Sequence, residues 1–152
     1  MSTEPNKTTE QNKTLVRRYW DEAWNKGNLA VMDELVATDF DGHPLPSDPN
    51  FGPGPAGQKR LVGLYRGAFP DMRMTIDDMV ADGDRVVLRW TARGTNTGEM
   101  MGMPATGKPA TVTGIIVNRL AAGKIAEGWG NFDALGMLQQ LGVIPTPEQV
   151  RV

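Results

Sequence analysis

The chain has 152 residues, nearly balanced charges that leave a formal net charge of −2, one histidine and no cysteine. That length suits one domain with a core of its own, and without a basic stripe the electrostatic footprint of a nucleic-acid binder is missing. The lack of cysteine excludes disulfides, thiolate metal sites and cysteine nucleophiles, and it fits a reducing cytoplasm.

Residues 1–8 are polar and are expected to form a disordered tail, neither signal peptide nor membrane anchor. No segment approaches the roughly 20 apolar residues of a membrane-spanning helix. Leu15, Val16, Tyr19, Trp20, Ala23 and Trp24 fall on one helical stripe and predict a first helix that Gly27 stops. Leu29, Met32, Leu35 and Val36 predict a short second helix, and Phe40 to His43 opens a strand. The stretch from Pro44 to Pro55 is too rich in Pro and Gly for a helix or a sheet interior and reads as a loop or lid. Pro55 suits the first turn of a third helix, whose stripe runs through Leu61, Leu64, Tyr65, Ala68 and Phe69 to a stop at Pro70.

From there the apolar period changes to two. Residues 72–80, 85–95, 110–120 and 124–132 read as strands joined at Asp82-Gly83-Asp84, at a Gly-rich arm and at Ala122-Gly123. In the second strand Val86, Leu88, Trp90 and Ala92 share an apolar face that should meet the helices, with Val87, Arg89, Thr91 and Arg93 on the other. Helices first and hairpin-connected strands after them is the order of an α+β domain, expected over residues 9–142 with a C-terminal tail at 143–152.

Three segments together resemble the SnoaL-like polyketide cyclases of the NTF2-like superfamily. They are the helix end from Tyr19-Trp20 to Gly27-Asn28, the run Gly98-Glu-Met-Met-Gly-Met-Pro-Ala-Thr-Gly107, and Gly123-Lys-Ile to Asp133-Ala-Leu-Gly136. The resemblance implies a cone in which a curved antiparallel sheet wraps three N-terminal helices around a deep pocket. It also implies proton-transfer chemistry such as aldol ring closure on a hydrophobic, oxygenated small molecule, with no metal and no organic cofactor. A gapless alignment through the last strand places Gly130 where those cyclases keep their catalytic aspartate. The same alignment places Ile116 at their pocket histidine and Trp24 at their tyrosine, so the cyclase acid is absent from its usual position.

His43, the only histidine, is a candidate acid/base beside the Pro-rich loop. Asp133 either faces the pocket mouth as a second acid/base or caps the helix that should follow it. Trp20, Trp24, Tyr65, Phe69, Trp90, Met101 and Met103 are large groups available to line the cavity, or else plain core. Alternation puts Ile116, Asn118, Gly128 and Gly130 inward, with Asn118 as the hydrogen-bonding group of the wall, and puts Glu127 and Trp129 outward. A large aromatic on the outer face suggests a homodimer through that face. A non-catalytic small-molecule binder of the same shape is the alternative reading.

Overall fold

The computed structural model describes residues 7–46 and 49–150. Residues 1–6 of the expected tail lie outside the described residues, whereas Lys7 and Thr8 already belong to the first helix. That helix, α1 (Lys7–Tyr19), continues without a break into a π-helical segment (Trp20–Asn25). It buries Val16, Tyr19, Trp20 and Ala23, the stripe its 3.6-residue spacing predicts. The chain reverses at Gly27, whose φ of +69° and lack of a Cβ both matter, because a Cβ there would stand 2.8 Å from Arg66 Nε.

The second helix is shorter than its apolar spacing suggests. α2 spans only Val31–Leu35, and Val36 already belongs to β1 (Val36–Asp41). The reason is long-range, since β1 lies along β5 (Lys124–Phe132) with Val36 opposite Ile125. α3 (Gly54–Ala68) takes Pro55 in its first turn, and its end is closed by the Phe69 N–H donating to Tyr65 O at 2.8 Å. β2 (Arg73–Asp82), β3 (Arg85–Thr95) and β4 (Pro109–Ala121) complete the sheet, and α4 (Ala134–Gln140) follows β5.

The strand order is β1-β5-β4-β3-β2. The β2–β3, β3–β4 and β4–β5 pairs are antiparallel as expected, while β1 joins β5 in parallel and makes the sheet mixed. Its register is irregular at three places: between Val36 and Asp41 in β1, at Asp77 in β2, and at Ala126 in β5, where Arg119 pairs with Glu127 but Leu120 with Ile125. The helices fill the concave side and the core lies between them and the sheet.

The β3–β4 connection is tied off at its base. Asn96, 2% exposed, donates from Nδ2 to Ala68 O and Gly98 O and accepts at Oδ1 from the N–H and hydroxyl of Thr106. Beyond it Met100 and Met103 exchange backbone hydrogen bonds across a two-residue turn, with Met101 at φ +48° and Gly102 at +79°.

Candidate functional site

A cavity of about 490 Å³ opens between the concave sheet face and the α1–π and α3 helices, and residues 41–44 and 49–53 border its mouth. Five aromatic rings on its wall form a closed circuit. Trp24 stacks on Trp20 at 5.9 Å, Trp20 meets Trp90 at 5.9 Å and Trp90 meets Phe132 at 6.3 Å. Phe132 meets Tyr65 edge-on at 6.2 Å, and Tyr65 returns to Trp24 at 6.3 Å. These spacings fall in the favourable range for aromatic pairs. Helix, π-segment and two strands thus close one collar, of which spacing alone had nominated four members; Phe132 was legible only as an inward residue of the last strand.

Below the collar the strands differ in what they leave empty. At Gly114 a Cβ would stand 2.4 Å from Trp90 Cζ2, so the indole lies where a side chain would be. A Cβ at Gly130 would meet Ile116 Cγ1 at an ordinary 3.5 Å, and nothing fills that space. At Gly128 it would approach Asn118 Oδ1 at 3.2 Å. Asn118 is 3% exposed, lines the cavity, and its amide has no hydrogen-bond partner among the described residues. Unlike the Trp20 indole N–H, its polar atoms are not sealed off, so they open onto the cavity and can pair with a ligand group or water.

Two polar groups on this wall had not been anticipated. Tyr19 donates its phenolic proton to Gln58 Oε1 at 3.0 Å, and burial pushes that phenol above its ordinary range, so it stays a neutral donor. Gln58 lies outside the apolar stripe of α3 and left no signal in the sequence. The indole N–H of Trp20 is buried with no partner. Ile116 and Phe69 line the cavity, whereas Met101 and Met103 do not: the turn at the arm's tip holds Met101 out in solvent at 45% exposure. Among the described residues Asp41, at the rim, is the one carboxylate on the lining, and no three metal-binding side chains converge.

The rim carries the histidine. His43 sits just past β1 at φ +45°, its N–H held by Asp41 Oδ1 at 2.9 Å. Its Nε2–H donates to Glu127 Oε2 at 2.8 Å, and its ring stacks on Trp129 at 4.8 Å with an 8° tilt. Glu127 also accepts from Arg119 Nε at 2.7 Å. The His43 bond and then the Arg119 bond hold its carboxyl below the ordinary carboxylate range. Trp129 is further engaged by the Arg85 guanidinium, 5.2 Å from its ring centre. Asp133 does the other of its two possible jobs: its Oδ1 accepts from Gly136 N at 2.9 Å and caps α4, away from the cavity lining.

Collar, bare glycine strip and helix-backed curved sheet can be compared with known proteins. The family model of the SnoaL-like polyketide cyclases matches residues 14–141. This chain belongs to the SnoaL-like polyketide cyclase family. Solved structures agree with the SnoaL-like assignment. IdmH of Streptomyces antibioticus, assigned as a polyketide cyclase, is 35% identical with a TM-score of 0.70, over 88% of this chain and 99% of its own. A protein of Acidithiobacillus ferrooxidans, also assigned as a polyketide cyclase, is 31% identical with a TM-score of 0.78, over 93% and 98%. AclR of Streptomyces galilaeus, assigned as a hydroxylase, is 26% identical with a TM-score of 0.75, over 91% and 85%. No curated protein matches the chain in sequence. The cone expected from the sequence is therefore the fold of this SnoaL-like chain, and among the described residues no helix is long and apolar enough to cross a membrane.

Proposed function

We propose that this chain is a cofactor-independent enzyme of the SnoaL type that closes a ring, or shifts a double bond, in a neutral, hydrophobic, oxygenated small molecule. The observation that carries the reading is Asn118, whose amide opens onto the cavity and makes no hydrogen bond to another described residue. A substrate carbonyl accepting from its Nδ2 would be polarised, and the collar would hold the rest of the molecule folded for reaction.

The carbon next to that carbonyl must lose a proton, and in an aldol closure the second carbonyl oxygen gains one, so no net oxidant or reductant is needed. His43 is the group this reading assigns to the proton. Because Nε2–H is committed to Glu127, the lone pair sits on Nδ1, which faces Asp41 Oδ2 at 3.6 Å, outside hydrogen-bonding distance. Asp133 takes no part, since its carboxylate is engaged as the α4 cap. Gly130, where the resemblance implies the cyclase aspartate, supplies space and no acid.

One observation favours a second reading, a binder without chemistry. The imidazole of His43 is stacked on Trp129, which belongs to the outer face, and among the described residues no carboxylate lines the cavity deeper than the rim. Incubation with a linear tricyclic aromatic polyketide ester separates the two. The enzyme reading expects ring-closed product from the parent and none from His43→Ala, while both still bind the neutral naphthyl ketone prodan; binding by both with no product from either overturns it. Asn118→Leu should lose prodan affinity about tenfold, the worth of roughly one hydrogen bond.

The proposal includes a cytoplasmic location and a homodimer through the outer sheet face. Val80 and Ile115 are 59% and 51% exposed there, among Arg89, Arg93, Asp77 and Asp78, a mixture of charge that can complement itself under a two-fold axis. Light scattering should give about twice 16.6 kDa; the monomer mass would remove this part.

A further inference from the structure

The π-helical segment stands where the cavity's first wall is made, and one of its side chains is tied to the sheet. Asn25 donates from Nδ2 to Met74 O at 3.0 Å and accepts at Oδ1 from Met74 N at 2.7 Å. A single amide thus pairs with both backbone groups of one residue on β2, the edge strand of the sheet, as a neighbouring strand would. In an α-helix five residues turn about 500°, which would leave Asn25 about 140° around the axis from Trp20. Wider π turns bring a residue five positions on nearly into line with the first. Lys26 N–H to Asp21 O at 3.0 Å is such a bond. Asn25 can therefore reach β2 while Trp20 faces the cavity only because the helix is π-wound here.

Arg66 of α3 holds the same turn from the other side, donating through Nη1 to Trp24 O and, at 3.2 Å, to Asn25 O. Gly27 permits that approach. Between the two clamps lies Trp24, the residue whose stacking on Trp20 and contact with Tyr65 close the aromatic circuit.

We infer that Asn25 is a positioning residue of the binding cavity: its two-point clamp on Met74 sustains the π turn, and the π turn sets Trp24 into the collar that receives the ligand. Relaxation of the turn to α-helix would rotate Trp24 relative to Trp20 and open the circuit between the helix and Tyr65. The inference rests on the reading that the cavity binds an aromatic ligand, and its test keeps the two apart.

Stacked indoles give a paired positive and negative band in the far-ultraviolet circular dichroism spectrum. The difference between the parent and Trp24→Phe isolates what Trp24 contributes to it. Asn25→Leu, close in shape but unable to hydrogen-bond, should reproduce that difference and weaken prodan binding about tenfold. Asn25→Asp, which keeps the acceptor for Met74 N–H and loses the donor, should fall between and covers the case in which the leucine variant does not fold. Retention of the parent band and the parent prodan affinity in a folded variant that is merely less heat-stable overturns the inference. If the parent itself does not bind prodan, the binding reading fails, and the dichroism comparison still decides whether Asn25 positions Trp24.

Discussion

The two faces of the sheet use the same residue types to opposite ends. On the concave face Trp90 and Asn118 stand over bare glycines, the amide without a partner and the indole laid against Gly114. On the convex face Trp129 and Glu127 come from the neighbouring strand, and both are engaged by protein: the Glu127 carboxylate by His43 and Arg119, the Trp129 ring by His43 and Arg85. Asn118 bonds to no other described residue and faces the cavity, so its hydrogen-bonding capacity is left open to a ligand or water. The convex cluster earns its place by holding the end of β1 at the cavity mouth.

That contrast can be broken most forcefully at the glycines. Gly114→Val should cost about 3 kcal/mol, because the new side chain must displace the Trp90 ring from a packed wall. The same change at Gly130, where a Cβ meets only ordinary contacts, should leave the urea midpoint nearly unmoved while weakening prodan binding about tenfold by filling the ligand's space. Equal loss of stability at both sites would show that the strip over Gly130 is already occupied by protein. A smaller effect sharpens the comparison from the convex side. The Glu127 carboxyl titrates below its ordinary 4.5 in the folded protein, so the stability it confers is present above that pH and is lost as pH falls through its folded value. Thermal unfolding of Glu127→Gln should therefore lie below the parent at neutral pH and converge with it as the solution is acidified past 4.5. Asn118→Leu, on the concave face, should show no such convergence.

Local patterns in the sequence carried the helices, the four antiparallel strands and the inward direction of Asn118, since alternation and helical spacing are set within a few residues. What they missed was decided at a distance. Val36 reads equally as the end of a helical stripe or the start of a strand, and only Ile125, in the parallel partner, resolves it. Alternation along β5 holds from Phe132 back to Glu127 and then slips at Ala126, so Ile125 joins the cavity wall. The spacing of Tyr19, Trp20, Ala23 and Trp24 is compatible with α and π winding alike; the choice is made by Met74, 49 residues further along the chain. Met101 was legible as a large apolar residue in a likeness-bearing motif, but the tight turn that exposes it depends on Gly102 and on the Met100–Met103 pairing.

Asn96 has a further consequence. It closes the base of the β3–β4 arm with four side-chain hydrogen bonds, and with backbone bonds to Lys108 and Gly107, so the register of the two strands is fixed before the arm's outer turn is reached. Doubling a loop closed in this way costs only about 0.6 kcal/mol in closure entropy. The arm is in that sense a socket whose plug is Met100, buried in the core at 2% exposure, so that the turn outside it, Met101-Gly102, is the place where a segment of different chemistry could be grafted while β3 and β4 keep their register.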